Sequence, residues 1–112
     1  MGRACPRARG LSALIWSPFA DEESAATAAS TLLDEGLIAC ANILPAMRSL
    51  YVWNGERGEA AEVGALFKTD AALLEGATAR LAEIHPYDAP AVVGWRVDTA
   101  ADATRHWLGS LV

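Results

Sequence analysis

MRSLYVWNGERGEAAEVGALFKT, residues 47–69, decides the fold. Met47, Ser49, Tyr51 and Trp53 alternate with Arg48, Leu50 and Val52 up to the pair Asn54-Gly55. On the way back Glu62, Gly64, Leu66 and Lys68 alternate with Val63, Ala65 and Phe67. A period of two is the signature of a strand, and Asn-Gly between two such segments predicts a hairpin, because a type I′ turn needs positive φ at both central residues. The return arm runs from about Glu59 to Thr69, and both arms exceed the usual five or six or so residues of a strand. Tyr51 and Trp53 stand near the tip, beyond the reach of two helices of about four turns each. Their apolar faces therefore call for a second chain.

Reading outward toward the N-terminus, Pro45 cannot donate to a ladder and predicts a break or bulge. Before it, Leu37 to Leu44 is short and apolar, a second strand. Asp21 is a good N-cap, followed by Glu22 and Glu23 where the helix dipole favours negative charge. Ala25, Ala28, Ala29, Leu32 and Leu33 then follow the spacing of one buried helix face, which Gly36 ends. Leu11 to Trp16, closed by Ser17-Pro18, predicts a buried first strand.

In the other direction, a helix starts near Asp70 and carries Leu73, Ala77, Leu81 and Ile84 on one stripe. His85-Pro86-Tyr87-Asp88-Ala89-Pro90 stops it, since two prolines exclude helix. Ala91 to Val97 is a last apolar strand, and Thr99 with Asp102 opens a terminal helix bearing Ala103, Trp107 and Leu111. The order βαββαβ plus a C-terminal helix is an α+β, ferredoxin-like split β-α-β arrangement: an antiparallel sheet with an extended hairpin, two helices on one face, and an oligomer-forming edge.

A chain of 112 residues, 53% hydrophobic and 21% charged, has room for one domain with a real core. Residues 1–10 read as a flexible, arginine-bearing tail and 11–112 as the single domain. The formal charge is −5 overall, and from residue 11 onward six basic residues stand against fourteen acidic ones, −8. So acidic a body repels a phosphate backbone and an anionic membrane surface, which excludes nucleic acid and membrane as expected partners. No apolar run reaches the roughly 18 residues of a membrane span. Two cysteines, Cys5 and Cys40, form no disulfide framework, in keeping with a reducing, cytoplasmic setting.

Catalytic motifs are lacking. Cys40 inside an apolar run reads as an inert core residue, and His106 as a surface residue. His85, at a helix end in a rigid loop, is either a C-terminal cap favoured by the helix dipole or a site residue. There is no HExxH, Walker loop or GxGxxG, and Gly55-Glu56-Arg57-Gly58 lacks the lysine of a phosphate cradle. No enzyme is expected.

ACANILPAMRSLYVWNGERGEAAEVGALFKT, residues 39–69, together with HPYDAP at 85–90, resembles the CutA divalent-cation tolerance proteins. The matching residues are Ala39, Cys40, Pro45, Ser49, Tyr51, Trp53, Gly55, Glu62, Val63, Lys68, Thr69, His85, Pro86, Tyr87 and Pro90, and the likeness extends from about Leu14 to Leu111. It implies a ferredoxin-like subunit of a cytoplasmic homotrimer, non-catalytic and associated with tolerance or response to copper and other divalent cations. It also implies an inter-subunit cleft lined by Tyr51, Glu62, Lys68, His85 and Tyr87 that binds a metal ion or small ligand, with Tyr51 and Trp53 at the trimer interface. The architecture is similar to the PII signalling proteins as well. The alternative function is thus a signal-transduction scaffold that senses a small anionic ligand or docks a partner protein; Lys68, the only lysine, fits an anion site.

Two departures stand out. Ala46 replaces the family's glycine after the proline, so the turn must avoid positive φ or carry strain. Copper ligation in the family uses a cysteine at the end of the first strand and two adjacent histidines before Pro-Tyr. Here those positions hold Ser17 and Ile84, leaving His85 as the one metal ligand of the set. A lone imidazole implies weak Cu(II) or other divalent-cation binding at most, because Cu(II) prefers several N or O donors.

Overall fold

Alternation along the chain sorts each strand into a helix-facing and an outward-facing row, and the computed structural model, which describes residues 11–112, shows the result. The expected tail at 1–10, with Cys5, lies outside the described residues. The elements are β1 (Ser12–Phe19), α1 (Glu22–Asp34), β2 (Cys40–Trp53), β3 (Glu56–Asp70), a 3₁₀ turn (Ala71–Leu73), α2 (Leu74–Ile84), β4 (Val93–Arg96) and α3 (Asp102–Gly109). The strands form one four-stranded sheet in the order β2-β3-β1-β4, with every neighbouring pair antiparallel. This is the expected split β-α-β fold.

Ala13, Ile15 and Phe19 of β1 and Val63, Ala65 and Phe67 of β3 face the helices. There they pack with Ala25, Ala28, Ala29 and Leu32 of α1 and Leu74, Ala77 and Leu81 of α2. Asp21 caps α1 by accepting from Ser24 N–H at 2.7 Å. At the other end Gly36, at φ +72°, closes it. Leu37 N–H reaches Leu32 C=O at 3.0 Å and Gly36 N–H reaches Leu33 C=O at 3.1 Å, the paired bonds of a Schellman motif.

The hairpin forms as expected. Asn54 and Gly55 take φ of +53° and +79°, and the register shifts between Leu44 and Met47, which places a bulge at Pro45-Ala46. Ala46 takes the strained alternative, at φ +58°. The arm makes the molecule long, 55 × 27 × 22 Å, with a radius of gyration of 15.4 Å, against roughly 13 Å for a compact chain of this length.

Several expectations are corrected. β1 runs on through Ser17-Pro18 to Phe19. β4 pairs with β1 only from Ala13 to Trp16, so among the described residues Pro18 has a strand neighbour on one side alone, a setting in which proline is tolerated. Asp70 caps a 3₁₀ turn, accepting from Ala72 N–H at 2.8 Å, before α2 begins, so Leu74 rather than Leu73 is buried. Cys40 is not in the core: opposite Lys68, it shares the outward row, because parity sends Ala41 and Ile43 inward instead. Leu33 is exposed, at the margin of the α1 stripe. α3 has no side-chain cap, and it buries Leu108 while Trp107 stays 48% exposed. A two-turn helix offers more than one apolar stripe, and packing against β1 and β3 selects among them.

Candidate functional site

The site grows from the point where α2 ends. His85 is the residue after the last turn, and its backbone N–H still bonds Leu81 C=O at 2.9 Å while its own φ and ψ are already extended. Pro86 forbids further helix, so the chain turns across the end of β1. There the imidazole is buried, stacked on Phe19 with centroids 4.2 Å apart and planes 15° from parallel.

Both ring nitrogens are engaged. Tyr87 N–H donates to His85 Nδ1 at 3.1 Å, which makes Nδ1 the unprotonated nitrogen. Nε2 then carries the proton and lies 2.9 Å from Pro18 C=O, to which it donates. Burial pushes the His85 pKa below its ordinary value, against the opposing pulls of the Pro18 carbonyl and the Glu62 charge. Tyr87 in turn donates its O–H to Glu62 Oε2 at 2.7 Å. Burial first, and then the hydrogen bond to Glu62, raise its phenol to about 12, so it remains a donor at neutral pH. Ser17 Oγ, fully buried, donates to Ala91 C=O at 2.7 Å and ties the far end of the same loop to β1.

Of the five expected cleft residues, one subunit thus joins Glu62, His85 and Tyr87 through direct bonds, with the Tyr51 phenol near enough to Tyr87 to add to the upward push on its pKa. Tyr51 lies further out on the ribbon opposite Gly58, with its ring laid across that residue; a Cβ there would sit 2.4 Å from Tyr51 Cε1. Trp53 stands opposite Glu56 at the tip, 60% exposed. Lys68 is at the other end of β3, opposite Leu14 and Cys40, about 20 Å from Glu62 at ~3.4 Å per residue. A cleft holding both would need two copies of the chain. Among the described residues no group of three or more His, Cys, Asp or Glu is placed to hold a metal ion.

The sequence reading missed the outward face of the sheet. Leu14, Trp16, Leu66, Leu44 (45% exposed), Val93 (56%) and Trp95 (43%) share it, and among the described residues Leu44, Val93 and Trp95 are left exposed. The signal was present: Leu11 to Trp16 and Ala91 to Val97 are apolar on both parities, the pattern of strands buried on both sides.

A family profile described as "CutA1 divalent ion tolerance protein" matches residues 13–110. The chain belongs to the CutA1 divalent ion tolerance family. The divalent-cation tolerance protein CutA of Pyrococcus horikoshii is 43% identical over 95 residues, 85% of this chain and 92% of that one. Its counterpart in Thermotoga maritima is 35% identical over 95 residues, covering 85% and 93%. Among solved structures, CutA1 from Ehrlichia chaffeensis superposes with a TM-score of 0.83 at 33% identity, covering 89% of this chain and 94% of that one. CutA1 from Pyrococcus horikoshii carrying D60A gives 0.82 at 41%, covering 88% and 96%. The CutA family is named for tolerance rather than for a reaction, and the role it supports here is tolerance to divalent metal ions.

Proposed function

We propose that this CutA-family chain is a non-catalytic, cytoplasmic homotrimer that acts in tolerance or response to divalent cations, copper among them. It would do so by binding a small ligand in a cleft between subunits. The observation that carries the reading is the apolar sheet face of Trp16, Leu44, Val93 and Trp95 beside an over-long hairpin with Tyr51 and Trp53 exposed. Large apolar side chains grouped at the surface mark an interaction face, and closed symmetry would cover both groups and pair the open edges of β2 and β4. In such an assembly Lys68 of one copy completes the cleft with Glu62, His85, Tyr87 and Tyr51 of another. The His85–Pro18 and Tyr87–Glu62 bonds suit a Glu62 carboxylate held as a fixed binding group. Among the described residues no serine, cysteine or lysine beside a base is held there as a nucleophile, which is why the reading is non-catalytic.

The test is complementation of a strain lacking this protein under Cu(II), Zn(II) or Co(II) stress. Wild type should restore growth, and Glu62→Gln or Tyr87→Phe, if folded, should restore it less. Equal rescue by both variants would overturn the cleft, and no rescue by wild type would overturn the role.

The PII-like alternative, sensing a small anion, rests on Lys68, which makes no ion pair among the described residues. Calorimetric titration with nucleotides and carboxylates discriminates: saturable heat abolished by Lys68→Met favours it.

A further inference from the structure

The residues that resemblance points to as copper ligands are already committed to other bonds. Ile84, at the second histidine's place, packs against the core. Ser17, at the cysteine's place, is fully buried, with its hydroxyl spent on Ala91 C=O at 2.7 Å. His85 receives Tyr87 N–H on Nδ1 and gives Nε2–H to Pro18 C=O, while Phe19 covers one ring face. A metal on Nδ1 would have to displace a backbone N–H. A metal on Nε2 would require the proton to change nitrogen and the ring to leave the Pro18 carbonyl. Either way a buried polar group loses its partner, and one imidazole returns too little to a cation that wants several donors. The donor set does not fit a metal ion.

We propose that Ser17, His85 and Tyr87 form a metal-independent clasp, and that divalent cations are handled without an ion held on His85. The clasp pins residues 85–91 to the end of β1 through two bonds to backbone carbonyls, at Pro18 and Ala91. It thereby fixes the direction of Tyr87, whose hydroxyl orients the Glu62 carboxylate at 2.7 Å. His85 is then a positioning residue, and the carboxylate is the group the site presents. All the bonds of the clasp lie within one chain, so it stands whichever ligand the cleft takes and with or without a trimer.

The experiment is histidine-selective ¹⁵N NMR of the full chain titrated with Zn(II), which needs no variant. His85 should show the neutral Nε2–H pattern and keep it in excess Zn(II). Saturable movement of either His85 nitrogen at stoichiometric metal would overturn the clasp. Alongside it, Cu(II) isotherms are compared for His106→Ala and His106→Ala/His85→Ala, so that the other imidazole is out of the way. They should superpose. A tight site present in the first and lost in the second would overturn the proposal. Hydrogen exchange supplies the positive readout: the Tyr87 amide should exchange at least ten-fold or so faster in His85→Ala, since a lost bond of about 1.4 kcal/mol corresponds to that factor. Unchanged exchange would remove the positioning role.

Discussion

Ala46 holds φ +58° in the bulge that Pro45 forces on β2. In that region a Cβ crowds the following carbonyl at a cost of about 1–2 kcal/mol, whereas glycine is at ease there and loses about 0.5–1 kcal/mol of entropy on folding. Ala46→Gly should therefore raise stability by about 0.5–1 kcal/mol, read as a higher urea midpoint at unchanged slope. His85 controls a pH dependence. Its folded pKa lies below the ordinary 6.5 because burial disfavours the imidazolium, so the unfolded chain takes up this proton more readily than the folded one. The contribution is full above about pH 6.5 and falls as pH drops toward the folded value. Unfolding free energy should decline across that window in the wild type, and the decline should flatten in His85→Gln. An identical slope in the two proteins would contradict the assignment.

The ribbon β2–β3 is the element most demanding of small residues. Gly64 sits under Trp16: a Cβ there would come 2.2 Å from Trp16 Cη2 and 3.0 Å from Met47 Sδ. Gly64→Val should drive the indole off the sheet and cost about 1–3 kcal/mol, visible as a lower midpoint of thermal unfolding. The same element shows how far local chemistry carries. Asn54-Gly55 fixed the turn and Pro45 the bulge, because each constrains its own φ or its own donor. Where β2 begins was not readable in the same way. Residues 37–39 are as apolar as a strand, yet Leu37 closes the Schellman motif and Thr69 Oγ1 bonds Leu37 C=O at 2.8 Å, so pairing starts at Cys40.

At the scale of the whole molecule, the 55 Å length and the uncovered sheet face point the same way. The proposed trimer should sediment at three times the 11.8 kDa chain mass. Tyr51→Ala/Trp53→Ala should shift the protein toward monomer, since truncating a buried aromatic costs on the order of 3 kcal/mol, while circular dichroism keeps the mixed α and β signature. A wild type that sediments as a single chain would end the trimer reading.

The order of elements, the hairpin, the caps at Asp21 and Gly36 and the inward row of α1 were legible in the amino acids alone, because turn geometry, capping and hydrophobic period act within a few residues. Family membership was legible too, since Ser49, Tyr51, Trp53, Glu62 and His85-Pro86-Tyr87 keep their spacing. Which parity of β1, β2 and β4 faces the helices was settled by packing in the folded chain. The tertiary structure also decided that Cys40 and Trp95 look outward, that α3 turns on Leu108, and that Lys68 stands apart from Glu62. It alone showed His85 spending both nitrogens on Tyr87 and Pro18. These contacts join residues far apart in the chain, 67 positions for His85 and Pro18, and an isolated sequence window carries no energy term for a partner that only folding brings near.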